Sequence, residues 1–268
     1  RKGAIQIYDN AIDFEKAKLK KHWIENVGCE WTELSKDEVF EIEPALNKEK
    51  KVAGGIYTES DASGDIHKYC VDLSRVLSSK YGVKFRFNEK VKDINGTSLP
   101  IISTDKEDIP FDKVVICAGV KTQEFRNKFR DNFRIYPVKG YSITIDLDDE
   151  ISKNAAPHVS IKDDHNKIVS SRLGNRLRVA GTAELAGENK EVREERITPL
   201  IEWVNNCFPE VNTENIITWA GLRPMTSDMV PIMRESKRKN VFYNSGHGHL
   251  GWTMGAFAGK FISDLIED

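Results

Sequence analysis

Residues 246–251, Gly246-His247-Gly248-His249-Leu250-Gly251, hold the densest chemical potential of the chain. Three glycines let a backbone come close to a ligand, and a helix entered directly afterwards presents unpaired N–H groups to it. The letters match the GxGxxG dinucleotide fingerprint. That fingerprint opens a βαβ unit whose second strand ends in an acidic residue about 20 residues on, and the sequence reaches Asp268 before any such strand. Two readings stay open: a turn that cradles a flat aromatic ligand, and a helix-entry turn without one. Arg223 comes next. A β-rich run, Thr218-Trp219-Ala220-Gly221-Leu222, delivers it into Pro224, and a guanidinium is suited to bidentate capture of a carboxylate. Taken alone, the same arginine also fits a surface salt bridge. Lys139-Gly140-Tyr141 opens a second β-rich run and could put an ammonium or a phenol into a cavity, or simply start an edge strand. Val114-Val115-Ile116-Cys117-Ala118-Gly119 ends a short apolar strand in two small residues, where the chain could turn beside a ligand or merely pack a helix. The histidines include no HExxH pair, His247 and His249 have no carboxylate or thiol beside them, and no GxSxG occurs. No metal site is expected.

These residues need strands and helices to position them. Gly3–Tyr8 reads as a strand, and 13–26 as one helix with Phe14, Ala17, Leu19 and Trp23 set among charges. Ser35 with Glu38 forms a capping-box pattern, opening a short helix that must end before Pro44. Further strands are expected at 54–58, 83–87, 89–94 and 114–117, and a helix from Asp65 to Tyr81 closed by Gly82. The pattern turns β-rich over 137–147, 168–171, 177–181 and 216–220, around a Gly174-Asn175 turn. A long helix spans 190–208, and the tail reads as strand 240–243, the glycine turn, and helix 253–266. Strands and helices alternate without a strict βαβ rhythm, which predicts an α+β, mixed α/β architecture with some parallel crossovers.

Composition narrows the function classes. Among 268 residues, 40 Lys+Arg balance 42 Asp+Glu to a net charge of −2, so no basic nucleic-acid footprint is present and no nucleic-acid partner is expected. No apolar run approaches the roughly 20 residues a membrane-spanning helix needs. The four cysteines, Cys29, Cys70, Cys117 and Cys207, form no CxxC pair and read as reduced thiols. These features point to a cytoplasmic protein whose membrane contact, if any, is peripheral. The chain opens on Arg1-Lys2 and enters a strand at once, which reads as a fragment or a processed form.

Three long segments converge on one family: 137–144 (PVKGYSIT), 218–226 (TWAGLRPMT) and 244–254 (NSGHGHLGWTM). With Glu43-Pro44-Ala45-Leu46, Gly54-Gly55-Ile56, Gly64-Asp65 and the VVICAG strand, they make the sequence resemble the bacterial D-amino acid dehydrogenase small subunit, in the FAD-dependent D-amino acid oxidase/glycine oxidase superfamily, over essentially its whole length. The resemblance implies an FAD-binding Rossmann-like layer and a large mixed-sheet substrate domain, with 1–64 and 134–222 in the substrate domain and 65–133 and 223–268 in the FAD-binding domain. It also implies FAD as cofactor, a D-amino acid substrate deaminated to a 2-oxo acid and ammonia by hydride transfer to flavin N5, and a quinone or other carrier as electron acceptor. Residue by residue, Arg223 matches the arginine that grips the substrate carboxylate. Gly246, His247, Gly248, His249, Leu250, Gly251, Trp252 and Thr253 match the loop against the flavin. Ala118, Gly119 and Val91 match the lining of its nucleotide half, and Tyr141 and Lys167 match strands facing the substrate cavity.

The family's opening βαβ unit, with its own GxGxxG, has no counterpart here, so the layer is expected to be N-terminally incomplete and a separate N-terminal fragment is an expected partner. Met229 and Arg234 occupy positions where the family usually has glycine, which points to a reshaped loop. Two competing readings remain: a catalytically silent remnant that binds no flavin, and a flavin dehydrogenase acting on another carboxylate.

Overall fold

A computed structural model describes residues 3–96 and 98–267. The expected atypical start at Arg1-Lys2 lies outside the described residues. The elements begin β1 (Ala4–Tyr8), α1 (Ala11–Lys18), α2 (Lys21–Asn26), β2 (Thr32–Leu34), α3 (Lys36–Ile42), β3 (Gly54–Thr58) and α4 (Ile66–Tyr81). They continue with β4 (Val91–Asn95), β5 (Ile101–Thr104), β6 (Asp108–Pro110), β7 (Val114–Ile116), a 3₁₀ turn (Gly119–Lys121), α5 (Thr122–Phe129) and β8 (Tyr136–Asp146). The remainder is α6 (Glu150–Ala155), β9 (Ser160–Asp163), β10 (Ile168–Leu173), β11 (Arg176–Glu184), α7 (Glu194–Cys207), β12 (Ile216–Met225), β13 (Ile232–Glu235), β14 (Val241–Ser245) and α8 (Gly251–Glu267). This is a mixed α/β fold.

The chain forms two compact units. The first holds the residues up to Asp65 with Gly140–Ala183 and Lys190–Gly221; the second holds Ile66–Lys139, Glu184–Asn189 and the residues from Leu222 onward. The boundaries expected from the sequence, 64/65, 133/134 and 222/223, differ from these: the second unit runs on to Lys139 and also takes in the short 184–189 segment.

In the first unit, β1 lies antiparallel to β3 and parallel to β9, and β9, β10 and β11 continue as antiparallel neighbours. The full sheet, among the described residues, runs β12-β8-β11-β10-β9-β1-β3-β2. Helix α7 buries Ile197, Leu200, Trp203, Val204 and Cys207. Their spacing of three and four residues makes one apolar stripe, packed with Ile143, Ile145, Ile161, Leu177 and Val179. Under that stripe sits Asp163. Its carboxylate accepts hydrogen bonds from Trp203 Nε1 (2.9 Å), Asn166 N (3.0 Å) and Asn166 Nδ2 (2.9 Å), and pairs with Lys50 Nζ (3.0 Å). Glu43 ties α3 to the entrance of β9: it is fully buried and accepts from the backbone N–H groups of Ala45, His158 and Val159.

In the second unit, β14 lies between antiparallel β13 and parallel β7. Val114, Ile116, Phe129, Phe133, Val241 and Tyr243 build its core. Asp131 is the polar counterpart of Asp163, accepting from Ser236 Oγ, Tyr243 OH and Lys237 N at 2.6, 2.8 and 2.9 Å. β4, β5 and β6 form a separate antiparallel sheet.

The local reading needs several corrections. The helix expected over 13–26 is two helices, because the buried stripe ends at Ala17 and leaves Leu19 and Trp23 exposed. Residues 83–87 are not a strand: past the positive-φ Gly82, Phe85 and Phe87 stack on each other with centroids 5.8 Å apart, without the pairing a strand requires. The β5–β6 hairpin, β2, β9, β13, α5 and α6 are additional to the elements the pattern predicts; each is short, so few repeats of its period mark it. The capping box on Ser35 and Glu38 is present with both bonds.

Burial pushes the Asp163 carboxyl up, but its hydrogen bonds from Asn166 and Trp203 and the Lys50 ammonium together hold it below its ordinary value of 3.8. A carboxylate depressed in the fold stabilises it above the unfolded pKa and loses that contribution as pH falls through the folded one. Urea unfolding between pH 2 and 6 is expected to steepen its acid limb below about pH 4 in the unaltered chain, and Asp163→Asn to flatten that limb while lowering stability at neutral pH by about 3 kcal/mol. An unchanged acid limb would remove Asp163 from this role.

Candidate functional site

The site grows from the end of β14. Ser245 closes the strand, Gly246 (φ +78°) and Gly248 (φ +55°) turn the backbone through the left-handed region, and α8 starts at Gly251. A side chain on Gly248 would place its Cβ 2.6 Å from Met225 Sδ, so only glycine fits at that φ. Two backbone contacts tie the turn to the end of β12. Gly248 N–H donates to Pro224 O at 3.0 Å, and Met225 pairs with His247 as a short antiparallel bridge. Arg223 is thereby held one residue before a fixed contact with the turn. A second tie runs to the 3₁₀ turn and the start of α5 that follow β7: Thr122 Oγ1 donates to Ser245 Oγ at 2.9 Å, and Ser245 Oγ donates to Gly119 O at 3.2 Å. The ends of β7, β12 and β14 therefore converge, with Cys117 and Ala118 exposed at the carboxyl end of β7, the usual place for a ligand beside a parallel sheet.

Electrostatics favour a ligand-lined surface. Arg223 is partly buried, and desolvation lowers its pKa while the guanidinium stays charged across the working pH range. Burial also lowers the His247 pKa, which favours the neutral imidazole. Its Nε2 is shielded from solvent without a hydrogen-bond partner, as are Thr226 Oγ1 and Asn244 Oδ1. Three unsatisfied polar atoms around one turn are unusual, because such groups ordinarily find partners. With the glycine geometry and the exposed Cys117-Ala118 end of β7, this donor and acceptor set fits a flat, polar-edged cofactor such as FAD.

Other expected site residues fall elsewhere. Lys167 is not on a strand. It ends the turn before β10 with φ +55°, its side chain is 71% exposed, and its ammonium pairs with Asp164 at 3.2 Å. Tyr141 packs in the core of the first unit with Ile143 and Ile145 rather than on a cavity wall, because β8 is buried on both faces over 139–143. Val91 opens β4 opposite Thr104 and is exposed. His249 and Leu250 are exposed on the turn, while Trp252 and Thr253 belong to the first turn of α8, where Trp252 sets its edge against Tyr69 with centroids 5.1 Å apart. Thr226 and Asn244, which sequence reasoning did not single out as site residues, sit at strand ends, where residue type alone does not separate a cap from a cradle. Met229 adopts φ +62°, the left-handed conformation a glycine would favour, whereas Arg234 lies in extended β13 and needs no glycine. Among the described residues, no cluster of three or more His, Cys, Asp or Glu could hold a metal, and no helix is long and apolar enough to cross a membrane.

Comparison with known proteins places this geometry in context. The family described as DAO, FAD dependent oxidoreductase, matches residues 1–265. D-amino acid dehydrogenase 3 of Mesorhizobium japonicum is 42% identical over 99% of the chain, covering 65% of that protein. A D-amino acid dehydrogenase of Neisseria gonorrhoeae is 34% identical over the whole chain and 64% of its own length. The chain thus spans just under two thirds of these relatives. Among solved structures, the glycine oxidases of Bacillus cereus and Geobacillus kaustophilus superpose with TM-scores of 0.86 and 0.88 at 24% and 21% identity, each over 99% of the chain and 72% and 70% of theirs, and share its fold.

Two substitutions probe the turn and its neighbouring loop. Gly248→Ala is expected to destabilise by about 1–3 kcal/mol through the Met225 clash and the strained φ, read from the urea midpoint. Met229→Gly, at an exposed side chain, is expected to stabilise by about 1 kcal/mol by relieving left-handed strain. A loss of stability there would show that the Met229 side chain contributes packing.

Proposed function

Since the chain belongs to the DAO family of FAD dependent oxidoreductases, we propose that it is the greater part of a D-amino acid dehydrogenase, with the second unit holding FAD and, through Arg223, the substrate carboxylate. The observation that carries this reading is the backbone tie between the glycine-histidine turn and the end of β12, which holds the backbone at Arg223 next to a turn around which three buried polar atoms lack partners. Gly246–Thr253, with Ala118 and Gly119, would hold the cofactor through backbone N–H groups, and Val91 would border its nucleotide half. FAD, when bound, supplies the hydride acceptor. The chain's own part is to orient and exclude: Arg223 would grip the substrate carboxylate in a bidentate pair, fixing the Cα–H in one direction, and the neutral His247 ring would stay available as a hydrogen-bond partner.

The names of the curated relatives favour a D-amino acid over another carboxylate, which Arg223 would bind equally well. A dehydrogenase of this kind passes its electrons to a quinone or a protein carrier. The exposed apolar residues of α4 and α8, among them Tyr69, Leu73, Val76, Trp252, Phe257 and Phe261, suit coverage by a further portion of the FAD-binding layer. That portion could belong to the same polypeptide or to a separate one.

Protein purified with FAD is expected to be yellow and to bleach with D-alanine but not with L-alanine or glycolate. Protein that stays colourless after FAD addition would favour a flavin-free remnant, and bleaching by glycolate another substrate class. Arg223→Ala is expected to raise KM for D-alanine roughly a hundredfold, the loss of a charge-assisted pair; unchanged kinetics would remove Arg223 from the site.

A further inference from the structure

The first unit carries a second arginine that the reading above does not use. Arg178 on β11 is half-buried, and among the described residues its guanidinium makes no hydrogen bond and no ion pair. Asp65 acts on it only at longer range, since that carboxylate accepts a hydrogen bond from Arg176 Nη2 at 2.6 Å. Instead, the Arg178 guanidinium carbon lies 5.5 Å from the centroid of the Trp219 indole on β12, a cation–π pair. Gly221 seats that indole: a Cβ there would meet the ring at 2.0 Å, so the ring lies along the strand over a residue without a side chain. The indole stays 55% exposed, and Ile217, one step away on the same face of β12, is 58% exposed.

A third group joins them. Leu177 and Val179 of β11, Tyr141 and Ile143 of β8 and Ala220 of β12 pack in the core with α7. Strand alternation therefore puts Arg178, Ser142 and Trp219 together on the opposite face. β8 lies between β11 and β12, so the arginine crosses β8 to reach the indole. At one end of the β8–β11 pair, Leu147 N–H donates to Asn175 O at 2.8 Å. β8 runs up to that bond and β11 runs away from it, so the two are antiparallel. Counting three residues along each strand from the bond sets Arg178 opposite Thr144. Ser142 is the next residue of β8 on that face, a diagonal neighbour about 7–8 Å from Arg178 between backbones, within the reach of an arginine side chain. Ser142 is 1% exposed, and its Oγ has no hydrogen-bond partner. Buried hydroxyls and partly desolvated guanidiniums ordinarily find acceptors. One carboxylate would supply an acceptor to both, and a flat apolar body behind it would cover the indole.

We propose that Arg178, Ser142 and Trp219 form a binding site for a small aromatic carboxylate. The carboxylate takes hydrogen bonds from the guanidinium and the serine hydroxyl, and the aromatic ring lies on the indole. The site stands on the first unit alone and does not rest on reading Arg223 as a substrate grip.

The test is an NMR titration of the full chain, in the presence of FAD, with 2-naphthoate and with its uncharged analogue 2-naphthamide. It follows the Trp219 indole N–H resonance, identified by its loss in Trp219→Phe. 2-Naphthoate is expected to shift that resonance with affinity on the order of tenfold above that of the amide. Arg178→Met, which keeps an apolar stem of similar length, should abolish the preference for the acid. Ser142→Ala should weaken 2-naphthoate roughly threefold to tenfold without lowering the thermal midpoint, because the hydroxyl has no partner to lose. Equal affinities for acid and amide in the unaltered chain would overturn the proposal, and that comparison needs no variant to fold. A preference for the acid that survives Arg178→Met, or a Trp219 resonance that 2-naphthoate leaves unmoved, would overturn it equally. An unchanged affinity in Ser142→Ala would overturn the assignment of Ser142.

Discussion

One short backbone contact organises the candidate site: the Gly248 N–H on the Pro224 carbonyl, backed by the Met225–His247 bridge. A turn that bends through positive φ twice has no internal ladder to hold it, so its amides must find partners outside the turn. Here one partner is the end of β12, and the cost of the turn's geometry is offset by fixing the approach of a guanidinium-bearing strand. The same argument applies on the other side, where Thr122 and Ser245 close a hydroxyl relay onto Gly119. Each tie uses short side chains or backbone, which leaves little rotamer freedom to blur the site.

Each unit also organises a buried carboxylate. Asp163 and Asp131 each gather donors from separate segments: Trp203, Asn166 and Lys50 for the first, Ser236, Tyr243 and Lys237 for the second. A buried carboxylate is costly unless nearly every lone pair is used. These networks therefore fix register between segments that hydrophobic packing alone would hold less specifically. Asp131 joins the end of α5 to β14, the strand that leads directly into the glycine turn, so core order and site order share one element.

Much of this was legible in the sequence because its physics is local. The Ser35–Glu38 capping box, the glycine-closed α4, the apolar β7 with its small-residue end and the glycine turn before α8 all follow from residue type within a few positions. The failures are equally instructive. Residues 83–87 alternate like a strand yet pair with nothing described, because alternation specifies a face and not a neighbour. The resemblance puts Lys167 on a strand face, but the turn entering β10 takes it at positive φ and leaves it in solvent. Tyr141 reads as a cavity phenol, but β8 is buried on both faces and Tyr141 packs in the core.

By itself, the sequence determined which residues could do chemistry and which short elements carry them, since capping, glycine conformational freedom and hydrophobic periodicity act over a few residues. Only the tertiary structure decided which of those residues meet. Arg223 and Gly248 are 25 positions apart, and Arg178 and Trp219 are 41 apart. They come together through strand order and backbone pairing across a mixed sheet. Such long-range pairing is settled by the collective burial of many side chains, and no local pattern encodes it.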